Sequence, residues 1–91
     1  IIEAVAPCLK DFNEDVRFAA IEALGKQDNT AAHPLLLAAL SNPEEESNRL
    51  RYRIAQFFQE HGWDLADKAA EVEATLPSGW AIVDNKLESI G

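Results

Sequence analysis

The stretch Val16-Arg17-Phe18-Ala19-Ala20-Ile21-Glu22-Ala23-Leu24 recurs in worn form as Leu50-Arg51-Tyr52-Arg53-Ile54-Ala55-Gln56-Phe57-Phe58, 34 residues later. Both copies read apolar-Arg-x-x-apolar-x-x-x-large apolar. Self-similarity at this period marks an array of stacked helical units, each of which buries its apolar face against its neighbour. The resemblance extends upstream. Leu9-Lys10-Asp11-Phe12 aligns with Leu40-Ser41-Asn42-Pro43 at an offset of 31. The difference of three between the offsets falls where Glu44-Glu45-Glu46-Ser47 sits. Extra length in a turn costs little closure entropy. Two helix-turn-helix units, the second with a longer turn, account for both offsets.

At 91 residues the chain makes one small structural unit, and such a unit has little stability to spare. Its composition, 47 % hydrophobic and 26 % charged with four Gly, is that of a helical globule rather than a disordered chain. No apolar run reaches the roughly 20 residues that span a bilayer. The start, Ile1-Ile2-Glu3, has no basic leader. A first residue other than Met, the lack of any Met, and a beginning inside an apolar pattern point to a fragment of a longer repeat protein.

The net charge is −8, distributed as −6 over residues 1–46, +2 over 47–61 and −4 over 62–91. An acidic surface repels phosphate backbones, which argues against nucleic acid as a partner. A lone cysteine, Cys8, excludes an internal disulfide and fits a reducing compartment, taken here as the cytoplasm.

Residues 2–10 carry Ile2, Val5, Ala6 and Leu9 at helical spacing, with Pro7 either kinking that helix or delaying its start to about Val5. Asn13 is suited to cap the next helix, with Glu14 and Asp15 against its positive end. Along 14–25, Val16, Ala20, Ala23 and Leu24 are expected to face inward, with Gly25 as the stop and Lys26 near the carboxyl end. Residues 27–30 connect the units. Pro34 fits a first helical turn; Leu35, Leu36, Ala39 and Leu40 follow as the buried stripe, flanked by Leu37, until Asn42-Pro43. Ser47 or Asn48 can cap a fourth helix that runs to about Glu60, with Leu50, Ile54, Phe57 and Phe58 inward and Gly62 beyond it. Leu65, Ala69, Val72 and Leu76 predict a one-sided helix over 64–76 that caps the stack, with Asp67, Lys68, Glu71 and Glu73 outward. Pro77-Ser78-Gly79 ends it. Residues 80–83 and 86–90 flank Asp84-Asn85, which predicts either a hairpin with Ile82 opposite Leu87 or an unpaired extended arm.

Taken together, Asp11 with Asp15-Val16-Arg17-x-x-Ala20-x-x-x-Leu24-Gly25, and Ala32-His33-Pro34-Leu35 through Leu40 to Leu50-Arg51, resemble HEAT-type repeats. They are most similar to the short HEAT-like repeats of phycobilisome lyases. The resemblance covers residues 1–62. The second unit departs from the pattern in Asn42, in its longer turn, and in bulky Ile54 and Phe58; Pro7 is also displaced relative to Pro34. It implies an all-α fold: an α-α superhelix of about two HEAT-like helix pairs, a capping helix, and a short extended or hairpin C-terminal arm. The corresponding division is a repeat domain over 1–76 and an arm over 77–91. It further implies that Asp11 pairs with Arg17 or Arg51 in a polar ladder that fixes the stacking angle.

No constellation in the sequence supports catalysis, a cofactor or a metal. Cys8 has only Lys10 nearby as a base and reads as a small core residue. His33 and His61 belong to no His-x-x-His or Cys-x-x-Cys spacing. Glu60-His61 is reversed and single where iron-binding HEAT-like hydroxylases use paired His-Glu dipeptides. Glu44-Glu45-Glu46 lacks the alternation and central Gly of a calcium loop. Arg49 and Arg53 share a helix face apart from Arg51, and Glu45 can pair with Arg49 at i, i+4. Three arginines on an acidic chain imitate poorly the basic groove of HEAT-like DNA glycosylases.

The remaining expectation is geometric. In HEAT arrays the second helices line the concave side, here Phe18, Glu22, Tyr52, Arg53, Gln56 and Gln59. The repeat makes Phe18 and Tyr52 equivalent, so the two rings are expected side by side in the groove. The function so implied is a non-catalytic scaffold for a protein or peptide. The alternatives are an accessory part of a lyase-like enzyme whose chemistry lies outside these residues, and a strand-donating dimerisation arm at 77–91.

Overall fold

A computed structural model describes residues 6–26 and 31–90. A 3₁₀ helix, Ala6–Lys10, leads into α1 (Glu14–Gly25), α2 (Ala32–Leu40), α3 (Asn48–His61) and a short α4 (Ala69–Ala74). The chain ends in an antiparallel hairpin of β1 (Trp80–Val83) and β2 (Lys86–Ser89). The 3₁₀ helix and α1 form the first unit, and α2 and α3 the second. The second helices of the two units, α1 and α3, pack against each other. Ile2 and Val5 of the expected first helix, and the connection 27–30, lie outside the described residues. At Pro7 the chain is 3₁₀ rather than α, consistent with the donor that proline removes.

The caps form where side-chain chemistry dictates. Asn13 accepts hydrogen bonds from the backbone N–H of Asp15 and Val16, and Ser47 accepts one from Leu50. Gly62 closes α3 in the left-handed conformation, φ 69°, where glycine has no Cβ penalty. Leu24, Leu36, Leu40, Leu50, Ile54 and Phe58 build the core between the units.

Three expectations are corrected. In α1 the inward flank is Ala20, Ile21 and Leu24, while Val16 lies at the surface. Gly25 does not stop α1 by a left-handed turn: it is the last helical residue, and the cap is Lys26 in a right-handed conformation. Its lack of a side chain instead lets the Phe57 ring lie against the backbone. The helix expected over 64–76 is confined to Ala69–Ala74. Upstream, Asp64 takes the N–H of Ala66 on Oδ1 and pairs with Lys86 in an isolated antiparallel backbone bridge, Leu65 donates its N–H to the Asn85 carbonyl, and Ala66 turns left-handed at φ 48°. Leu65 reaches the core through this turn, and Val72 through the helix. Of the two alternatives for the C-terminal segment, residues 80–89 form the hairpin, with Ile82 opposite Leu87 as the Asp-Asn turn predicts. Asp84 and Asn85 both have positive φ, 52° and 63°, which matches the right-handed strand twist. A hairpin alone is marginal in water. This one is held because Trp80 and Leu87 join the helical core and Asn85 Nδ2 donates to the Ala66 carbonyl.

Candidate functional site: the second-helix face

The turn at the start of each second helix is built the same way in both units. Asp11 Oδ1 accepts the N–H of Asn13, and Asn42 Oδ1 accepts the N–H of Glu44, so each turn is an Asx turn. The arginine that follows then donates to the backbone carbonyl of that same residue: Arg17 Nη1 to Asp11 at 2.9 Å, and Arg51 Nη2 to Asn42 at 3.2 Å. The expected ladder therefore differs in its atoms. Asp11 is bound by Arg17 through its carbonyl, while its carboxylate serves the turn. An amide in place of a carboxylate at Asn42 keeps the same acceptor. Arg51 is 8 % exposed, and its Nε finds no partner among the described residues. It holds the turn within its own unit and does not reach Asp11.

One polar tie between the units lies at Glu45, which the sequence offers as an i, i+4 partner for Arg49. Its carboxylate receives Arg17 Nε at 3.0 Å and Nη2 at 3.2 Å across the stack, and its Oε2 also accepts the N–H of Ser47. Glu45 thus does not pair with Arg49.

Of the six residues expected to line a groove, the structure brings three together directly. Arg53 forms a two-point ion pair with Glu22 and donates from Nη1 to Gln56 Oε1 at 3.1 Å. Arg53 also holds the Glu22 carboxyl below its usual range by direct hydrogen bonding, partly offset by burial. The same guanidinium lies 4.1 Å above the Phe57 ring. Its neighbour Arg49 stacks 4.4 Å from the Phe18 ring and reaches Glu14 at 3.0 Å and Asp15 at 3.2 Å.

Phe18 and Tyr52 are covered by different neighbours rather than paired. Phe18 is half-buried under Arg49, whereas Tyr52, 45 % exposed, sets its ring edge-on to Trp80 with centroids 5.6 Å apart. The physical reason is the packing around each helix: Phe18 on α1 meets α3, and Tyr52 on α3 meets the hairpin. Gln59 stands exposed one turn along α3. It also lines a shallow hollow with Phe58, Gly62, Asp84 and Lys86.

At the far end of the units, His61 Nε2 bonds the Gly25 carbonyl at 2.7 Å, and its ring stacks on Trp63 at 4.3 Å. His33 Nε2 bonds the Asp64 carbonyl at 2.7 Å. A carbonyl only accepts, so both nitrogens carry hydrogen and act as donors. Cys8 is half-buried. Among the described residues, no three His, Cys, Asp or Glu side chains gather in a metal-binding arrangement, and no helix is long and apolar enough to cross a membrane.

No curated protein and no solved structure matches the chain. A family model described as HEAT repeats matches residues 1–72. HEAT repeats generally serve as protein-interaction scaffolds, and the family is typically non-catalytic. With both units, their repeated Asx-arginine turns and most of the chain inside that match, this protein belongs to the HEAT-repeat family.

Proposed function

We propose that this chain is a non-catalytic scaffold segment of a longer, cytoplasmic repeat protein that binds a protein or peptide along its second-helix face. In this reading residues 1–76 are the repeat body of an α-α superhelix, with the short-repeat pattern of the phycobilisome-lyase type, and 77–91 close its end. The contact surface is Phe18, Glu22, Tyr52, Arg53, Gln56 and Gln59. The observation that carries the proposal is the network centred on Arg53. It locks Glu22 and Gln56 in place on two packed helices while Tyr52, one turn away, remains half open to solvent. Fixed polar groups beside an aromatic ring present a preorganised surface, which lowers the ordering cost of association.

The test places a photo-crosslinking benzoylphenylalanine at Tyr52 or Gln59, and at Ala38 on the opposite, first-helix side as control. The proposal predicts discrete adducts in an extract of the source cells from positions 52 and 59 and none from 38. Equal labelling at all three positions would refute it.

A further inference from the structure

The hairpin has two edges, and the chain covers only one of them. Ile90 donates its N–H to the Gly79 carbonyl at 2.8 Å, one step beyond the Trp80–Ser89 pair, and this sets the alternation of the ladder. Ala81–Glu88 and Val83–Lys86 are therefore hydrogen-bonded pairs, and Trp80 and Ile82 turn their N–H and C=O groups away from β2. On the β2 side that strand lies along α3, Asp64 pairs with Lys86 through the backbone, and Leu65 donates to the Asn85 carbonyl. On the β1 side, no backbone bond to the outward groups of Trp80 or Ile82 comes from any described residue.

The two strands are also defended in the opposite sense. An unpaired edge invites another strand, and proteins blunt such edges with charge, proline or a bulge. The covered strand, β2, carries Lys86 and Glu88. The open one reads Trp80-Ala81-Ile82-Val83 in unbroken register, without charge, proline or bulge, and its Trp, Ile and Val favour strands. Trp80 and Ile82 pack on the helical core, which fixes the edge in place. On the other face Val83 is 45 % exposed, and Ala81 stands opposite the exposed Glu88.

We infer that the open edge of β1 takes an extended, basic peptide segment of another protein as a third strand, bonded through the outward groups of Trp80 and Ile82. Charge selects this occupant. Residues 62–91 have a net charge of −4, and a second copy of the chain would set −8 against −8. Adjacent strands lie about 4.8 Å apart. A lysine or arginine of the added strand opposite Ala81 therefore passes over that small residue to the Glu88 carboxylate registered beyond it, with its aliphatic stem on Val83. This surface is separate from the second-helix face, so crosslinking at positions 52 and 59 is decided independently.

The test titrates the isotope-labelled chain with capped pentapeptides at millimolar concentration and follows its backbone amides by NMR. The probes are TVKVT, whose central lysine falls opposite Ala81, and TVEVT. With TVKVT the Trp80 and Ile82 amides should shift saturably and exchange more slowly with solvent, and TVEVT should bind at least about threefold more weakly. Glu88→Gln, at an exposed position, should weaken TVKVT by about two- to fivefold. Unperturbed Trp80 and Ile82 amides, shifts confined to α1 and α3, equal binding of the two peptides, or indifference to Glu88→Gln would each overturn the inference. So would shifts of the same two amides on concentrating the protein alone, which would give the edge to a second copy.

Discussion

Replacing Gly25 with alanine reverses the usual sign of that substitution. Within a helix, Gly→Ala normally stabilises by about 0.5–1 kcal/mol, through helix propensity and reduced freedom of the unfolded chain. Gly25 is helical and followed by a right-handed cap, so its backbone would accept alanine without strain. The added Cβ, however, would fall onto Cγ, Cδ2 and Cε2 of Phe57, all well inside the ~3.5 Å at which carbon atoms pack comfortably. The ring cannot retreat freely. It is buried in the core, and the Arg53 guanidinium lies 4.1 Å from its centroid. Overpacking a tight core costs about 1–3 kcal/mol. Set against the propensity gain, the net is a loss of up to about 2.5 kcal/mol, at about 4–8 °C in melting temperature per kcal/mol for a domain of this size. Urea unfolding of Gly25→Ala, Phe57→Leu and the double variant gives the coupling between the two sites. The smaller side chain should rescue most of the alanine penalty. A Gly25→Ala variant at least as stable as the parent, or a double variant whose losses simply add, would show that α1 and α3 do not meet at this point.

Three further outcomes follow from the same geometry. The Glu22 carboxyl is held below its ordinary value of 4.5 by Arg53, so its contribution of at most about 1 kcal/mol is present above that pH and lost as pH falls through the lowered folded value; urea midpoints of the parent and Glu22→Gln should differ at neutral pH, and the difference should shrink as pH falls through that lowered value. In the second Asx turn, Asn42→Asp keeps the acceptor for the Glu44 N–H and should leave stability within about 0.5 kcal/mol, whereas Asn42→Ala should cost about 1 kcal/mol in the same unfolding assay. Trp80→Ala removes a buried ring that both joins the core and covers Tyr52, so it should cost about 3–5 kcal/mol and raise Tyr52 accessibility to iodination; a small loss would mean the hairpin merely rests on the helices.

The parts of the fold set by local chemistry were legible from residues alone: the Asn13 and Ser47 caps, the Gly62 stop and the Asp84-Asn85 turn with its register. Long-range contacts were less so. Val16 and Leu50 are the same letter class at the same repeat position, yet only Leu50 has a neighbour to bury it. Leu65 fits the helical spacing of Val72 and Leu76, but a carboxylate two residues before Ala66 and a free carbonyl at Asn85 captured its backbone instead. Gly25 looked like a stop because glycine usually acts through φ, and here it acts through the missing Cβ. At the candidate site, the repeat places Arg17 and Arg51 at equivalent positions, and each donates to the carbonyl of its own turn. The repeat could not show that Glu45 bridges the units, because the partner of a long side chain is fixed by tertiary placement. The same limit separated Phe18 from Tyr52, whose equivalence in sequence becomes equivalence of position along a stack, each covered by a different neighbour.

That covering relation is the centre of the account, and proton–proton contacts in solution test it most directly. Nuclear Overhauser spectra of the intact chain should connect the Phe18 ring to the Arg49 side chain and the Tyr52 ring to the Trp80 indole, with none between the two rings themselves. Strong contacts between the Phe18 and Tyr52 rings, with the Trp80 indole remote from both, would contradict the stacked arrangement and the role given to the hairpin.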